Sequence, residues 1–187
     1  FATLDDELRA VVHEVRRLTP TIIDVVVLAP AAARKFEPGQ FYRLQNFERG
    51  SQRITTNGQV SSLVMEGIAL TGAWVDREQG LLSLITLEMG VSSRLCAYLR
   101  PGEPVVVMGP TGAPTEIPEN EAVLLAGGGL GNAVLFSIAR ALKARGSRVL
   151  YFAGYKNGAD LFKREDIESA TDQVIWATDT GVEIPPS

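Results

Sequence analysis

The sequence predicts a two-domain chain: an N-terminal antiparallel β-barrel followed by an α/β domain built on a parallel sheet. Three observations predict it. From Val11 to about Met108, short runs rich in β-branched residues are punctuated by turn signals, among them Pro38-Gly39 and Pro101-Gly102. After Pro118, continuous apolar strands alternate with helical periodicity, the pattern of a parallel sheet covered by helices. Between the two lies "GPTGAPTEIPENE", Gly109 to Glu121, rich in Gly and Pro and ending acidic. The expected domains are therefore 1–115 and 116–187.

The elements follow in order. "VVHEVRRLT" mixes polar His13, Arg16 and Arg17 with apolar Val12, Val15 and Leu18, so the lone histidine reads as a solvent-facing strand residue. Further strands are expected in "TIIDVVVLAP", "FEPGQFYRLQNF", "SSLVMEGIALTGAWVD", "GLLSLITLEMG" and "EPVVVMGP". A short helix is expected in "SSRLCAYLRPG", with a Ser cap, apolar Leu95, Tyr98 and Leu99 on one face, and a stop at Pro101. In the second half, strand "AVLLAG" leads to helix "GNAVLFSIARALKARG", where Leu135, Ile138, Ala139 and Leu142 recur at helical spacing and Gly146 ends the run. Strand "RVLYFAGY", helix "ADLFKREDIESA" and strand "DQVIWATD" complete it. Doubly wound nucleotide-binding sheets carry roughly five or six strands, so this three-stranded half reads as truncated.

Composition narrows the function classes. Eighteen Lys and Arg against 22 Asp and Glu leave a charge of -4 with no basic block, which argues against nucleic acid as a partner. The single cysteine, Cys96, makes no internal disulfide and cannot alone hold zinc or an iron-sulfur cluster, so no metal site is expected and a reducing cytoplasm fits. No apolar run reaches the roughly 18 to 20 residues of a membrane span. The start "FATLDDELRAVV" lacks the basic and apolar regions of a signal peptide and lacks a Met, so residues upstream are expected.

The stretch "LLAGGGLGNAV" carries Gly127, Gly128, Gly129 and Gly131 between a buried strand and a helix. Glycines there let the backbone approach a pyrophosphate, and free N–H groups with the positive end of the helix dipole favour an anion. A tight turn alone needs one glycine or two, so the cluster points to a ligand.

Together with "PGQFYRL", "GVSSRL", "LRPGEPVVVMGPTG", "YFAGYKNGADLF" and "WATDTG", this stretch resembles the ferredoxin reductase-like superfamily over essentially the whole chain. Within it the sequence is similar to electron-transfer subunits of the kind that serve dihydroorotate dehydrogenase, hydrogenases and glutamate synthase-linked reductases. The resemblance implies a flavin-binding barrel and an NAD(P)-binding domain, with hydride passing between NAD(P)H and FAD and electrons going on to an iron-sulfur or other redox partner. No acid-base catalyst is then required, and the catalytic residues stay unassigned. Gly90, Val91, Ser92 and Ser93 match the segment that takes the flavin pyrophosphate. Gly127, Gly128, Gly129 and Gly131 match the nicotinamide-nucleotide loop. Gly154, Tyr155 and Lys156 match the second strand's end near the adenosine ribose, and Thr178, Asp179 and Gly181 match an element beside the nucleotide. Lys156 leaves NAD against NADP open, being either a partner for a 2'-phosphate or an ordinary surface lysine.

One departure stands out. The flavin signature of the superfamily places an Arg, and three residues later a Ser, where this chain has "IALT", Ile68 to Thr71. Thr71 retains a hydroxyl, but Ile68 brings no cation to a pyrophosphate that needs one. Arg43 and Arg94 are the candidate replacements, and Tyr42 and Trp74 are either a face for the flavin ring or barrel core. The competing expectation is a flavin-less docking or regulatory module of a larger redox complex.

Overall fold

The computed structural model describes residues 8–186. Its elements are β1 (Arg9–Arg17), β2 (Ile22–Leu28), α1 (Pro30–Lys35), β3 (Phe41–Asn46), β4 (Arg53–Thr56), β5 (Gln59–Ser62), β6 (Ile68–Asp76), β7 (Leu81–Leu87), α2 (Val91–Leu95) and β8 (Pro104–Thr111), then β9 (Ala122–Gly128), α3 (Asn132–Ala144), β10 (Arg148–Tyr155), α4 (Arg164–Ser169) and β11 (Gln173–Thr178). Six antiparallel strands close a barrel in the order β1-β2-β7-β6-β3-β8, and β11-β10-β9 form a parallel sheet.

Alternation builds the barrel interior. In β3, Tyr42, Leu44 and Asn46 point inward and are buried, while Phe41 and Arg43 are exposed. In β2 and β7 the alternation vanishes, because both faces are covered. Ile23, Val25, Val27, Leu82 and Leu84 fill the barrel, whereas Ile22 and Ile85 point outward into a second apolar cluster. That cluster also contains Ala73 of β6, Phe136, Ala139 and Leu142 of α3, and Val149, Tyr151 and Ala153 of β10. A register shift between Gly72 and Trp74 turns both Ala73 and Trp74 to this outer side. The two halves thus share one core, with α3 sandwiched between the parallel sheet and the barrel wall.

Several elements differ from expectation. "SSLVMEGIALTGAWVD" is not one strand: Ser61 and Ser62 end β5, which pairs only with β4, and β6 starts at Ile68. The β4–β5 hairpin turns at Asn57-Gly58, both at positive φ (52° and 80°), an Asn-Gly hairpin signal that falls between the expected strands. Helix α1 was also unforeseen, although Pro30 in its first turn and Arg34 and Lys35 in its last are ordinary helix signals. The N-cap of α2 is Gly90 rather than a serine, and a 3-10 turn over Cys96–Tyr98 rotates Tyr98 out to 53% exposure while Cys96 and Leu99 are buried. The helix expected over 159–170 shortens to a 3-10 turn at Gly158–Asp160 and α4.

The parallel sheet is covered on one face only. Leu124 and Ala126 of β9, Phe152 of β10, and Ile175 and Ala177 of β11 lie in register on the other face and are exposed, Leu124 at 60%. Among the described residues nothing covers them.

A shared core predicts cooperative unfolding. Phe136→Ala should cost about 3–5 kcal/mol and lower the melting of barrel and sheet together, in one calorimetric transition. Two transitions, with only one displaced, would separate the halves.

Candidate functional site: a glycine cleft facing the barrel wall

The carboxyl ends of the three parallel strands enclose a cleft of about 470 Å³, lined by Gly128, Gly129, Gly154, Tyr155, Lys156, Ala177 and Asp179. Six of these seven are residues that the sequence pointed to. They are distant in the chain and meet because β9, β10 and β11 end at the same edge, with Gly154 opposite both Gly128 and Ala177. Thr178 ends β11 opposite Tyr155, and Gly127 and Gly131 lie beside the lining rather than in it.

The glycines have two different duties. A Cβ on Gly127 would fall 2.8 Å from Leu135 Cδ1 and would strike the Asn132 side chain, so glycine there serves the packing of strand on helix. A Cβ on Gly128, Gly129 or Gly131 would meet nothing within 4 Å, and Gly129 is left-handed at φ +52°. These three leave room for a ligand to come close to the backbone.

The cleft's shape is held by Asn132, a residue the sequence reading missed. Its side chain is buried at the first position of α3, where Nδ2 donates to Gly129 O (3.0 Å) and Gly154 O (3.3 Å) while Oδ1 accepts from Tyr151 Oη–H (2.9 Å). One carboxamide therefore ties the glycine turn to the end of β10. The available signal was an amide at the start of an otherwise apolar helix. Burial pushes the Tyr151 and Tyr155 phenols far above their ordinary range, so both stay neutral. The charges at the cleft are Lys156 and Asp179, both exposed. The segment after β11 is tied back to β10 by Asp179 N–H to Tyr155 O (3.2 Å) and Thr180 N–H to Lys156 O (2.9 Å).

The glycine turn packs against β7, and so faces the barrel's outer wall. On that wall Thr71 pairs with Phe41 on one side and Ile85 on the other, and Arg43 pairs with Ala69, so Arg43 and Thr71 share the outward face. Arg43 Nη2 donates to Gly67 O (3.1 Å), and Ser92 Oγ accepts from the neighbouring Glu66 N–H (3.2 Å). The segment before β6 thus holds Arg43 and the start of α2 together.

Other expected residues are placed differently. Ser93 Oγ accepts from Met89 N–H and Gly90 N–H and donates to Gly90 O, so its hydroxyl closes the helix start instead of facing outward. Val91 is 78% exposed, and Arg94 is exposed on α2. Ile68 packs against the barrel core, opposite Leu44. Tyr42 is core, its Oη–H donating to Ala32 O (3.0 Å), and Trp74 belongs to the shared seam. Cys96 is fully buried, with its thiol pushed up to about 12 by burial. No group of three or more His, Cys, Asp or Glu among the described residues is placed to hold a metal, and no described helix is long and apolar enough to cross a membrane.

A closed six-stranded antiparallel barrel packed through one helix onto a parallel sheet is the ferredoxin reductase-like fold. A structure of NADH-dependent reduced ferredoxin-NADP oxidoreductase, studied for flavin-based electron bifurcation, superimposes with a TM-score of 0.77 at 25% identity, over 94% of this chain and 59% of that one. The chain shares this fold with ferredoxin-NADP reductase-like proteins. It is 29% identical over 175 residues to a homologue of the electron transfer subunit of dihydroorotate dehydrogenase B (NAD(+)) from Thermotoga maritima, covering 93% of this chain and 56% of that protein. It is 34% identical over 148 residues to the uncharacterized protein RP006 of Rickettsia prowazekii, covering 79% of this chain and 19% of that one. The chain thus spans between a fifth and just over half the length of these relatives. No family model matches it.

Two outcomes test the local geometry. Gly127→Ala should lose about 1–3 kcal/mol by overpacking, while Gly128→Ala should stay within about 0.5 kcal/mol of the parent, as read from chemical denaturation. Iodoacetamide at mildly alkaline pH should leave Cys96 unmodified until the protein is unfolded, because the thiol is inaccessible and burial holds it in the protonated form.

Proposed function

We propose that this chain is the flavin- and nicotinamide-binding module of an oxidoreductase, moving reducing equivalents between NAD(P)H and FAD and on to an iron-sulfur or other redox partner. The observation that carries the reading is the cleft of Gly128, Gly129, Gly154, Tyr155, Lys156 and Asp179, set at the carboxyl edge of a parallel sheet and turned toward the barrel wall. Dinucleotides bind at such edges, where a glycine turn opens a helix.

In this reading each half holds one dinucleotide. Gly128, Gly129 and Gly131 admit the nicotinamide dinucleotide to the start of α3, Asn132 holds the turn that receives it, and Lys156 and Asp179 flank its far end. On the barrel wall, Thr71 and the segment from Gly90 to Arg94 are the residues that would hold the flavin nucleotide. Arg43 supplies the cation that Ile68 does not, since its guanidinium already reaches the segment joined to α2 through Ser92. A flavin held there would supply the link between two-electron hydride transfer and one-electron delivery to an acceptor. The chain's own residues bind and orient the two dinucleotides and exclude water from between them.

A flavin-less docking module is the second reading, and the apolar Ile68 at the signature position is what favours it. A visible spectrum separates them: the first reading predicts that the protein takes up FAD and that NADH or NADPH bleaches it under anaerobic conditions. Arg43→Gln should weaken FAD binding about 10- to 100-fold, the range of one charge-assisted hydrogen bond. Gly128→Val should abolish reduction with FAD still bound. A protein that stays colourless in excess FAD would leave the docking reading.

A further inference from the structure

We propose that Lys163 is a positioning residue whose ammonium, gripped by Asp24 of the barrel, sets how the glycine cleft faces the barrel wall. Its kinetic consequence rests on the function proposed above; its structural consequence does not.

Asp24 is the one acid within β2, on the outward side of an otherwise apolar strand, and it is fully buried. Its Oδ1 accepts from Ser83 Oγ–H of β7 at 2.6 Å, and its Oδ2, which accepts no hydrogen bond, forms an ion pair with Lys163 Nζ at 3.2 Å. The Lys163 side chain is itself only 11% exposed. From there the charges alternate: Lys163 Nζ is 3.7 Å from Asp166 Oδ2, and Asp166 accepts a hydrogen bond from Arg140 of α3. The chain of contacts thus runs from two barrel strands, through the start of α4, to the same helix that carries the glycine turn.

Three physical points give this pair its role. The second cluster joins the halves largely through apolar contact, which has no direction and so resists separation more than sliding. A buried ion pair, by contrast, leaves an uncompensated charge when its partners are drawn apart, so the arrangement that keeps them together is favoured over its neighbours. Lys163 also sits at φ +52°, ψ 45°, a left-handed conformation that a residue other than glycine keeps only where its surroundings hold it. Because α3 joins both sites, a small rotation at the seam alters the approach of the cleft to the wall, and hydride transfer is steeply sensitive to such displacements.

The test uses the intact protein with Lys163→Met, Asp24→Asn, the double variant and Lys163→Arg. Amide hydrogen exchange is followed over β2, β7 and α3, with β3 as the internal reference. In the same variants, flavin reduction by NADH is followed by stopped flow, and the NADH Kd is measured. Lys163→Met and Asp24→Asn should each speed seam exchange, and slow the limiting reduction rate, about tenfold, leaving β3 and the NADH Kd within about twofold. The double variant should show the same roughly tenfold changes as the single ones rather than their product, and Lys163→Arg should recover most of the loss. If a single variant fails to fold, the double variant, which leaves no unpaired charge, carries the same prediction. Seam exchange within twofold of the parent overturns the proposal, as does a rate loss matched by an equal rise in Kd. If the parent takes up no flavin, the proposed function fails and the exchange result alone decides the role of Lys163.

Discussion

One helix packed on both of its sides is the constraint on which the rest of this structure depends. The helix touches both the sheet and the barrel wall, and Phe136, Ala139 and Leu142 of α3 share a single apolar cluster with Val149, Tyr151 and Ala153 of β10 and with Ile22, Ala73 and Ile85 of the barrel. This explains why β2 and β7 abandon the inside-outside alternation of an ordinary barrel: their outer faces are interior to the molecule. It also aims the site, because the glycine turn is the start of that same helix and therefore faces β7.

The site then rests on a few polar groups placed in an apolar frame. Asn132 holds the turn from within, joining Gly129 to Gly154 with a fully satisfied amide. Asp24 and Lys163 fix the frame's register from the far side of the seam. Between them the cleft itself is built from backbone and from residues whose charges stay in solvent. That suits the binding of an extended dinucleotide, whose contacts are largely to main-chain N–H groups.

Much of this was legible in the sequence, for physical reasons that can be named. The switch of period after Pro118 separated barrel from parallel sheet, and the position of the glycines between a strand and a helix placed the cleft. What sequence spacing does not carry is which side of a strand faces which neighbour. Gly127 looked like its neighbours, yet it alone is crowded, by Leu135 and Asn132. Ser93 looked like a ligand hydroxyl but is spent on Met89 and Gly90. Lys163 lies in a run of mixed charge, "FKREDIES", and its burial against Asp24 comes only from the docking of the two halves. The Asn57-Gly58 turn lies just ahead of the strand expected from Ser61, and its hairpin takes Ser61 and Ser62 away from that strand.

The same geometry sharpens the one discrepancy with the superfamily's pattern. Ile68 is turned to the barrel interior, whereas Arg43, on the neighbouring strand and the outer face, reaches the segment between β6 and α2. A structure determined with FAD and a nicotinamide dinucleotide bound tests this most directly. The flavin pyrophosphate should lie within hydrogen-bonding distance of the Arg43 guanidinium and the start of α2, with the second nucleotide in the cleft between Gly128 and Lys156. A pyrophosphate bound without Arg43, or a nucleotide seated elsewhere while that cleft stays empty, would contradict it.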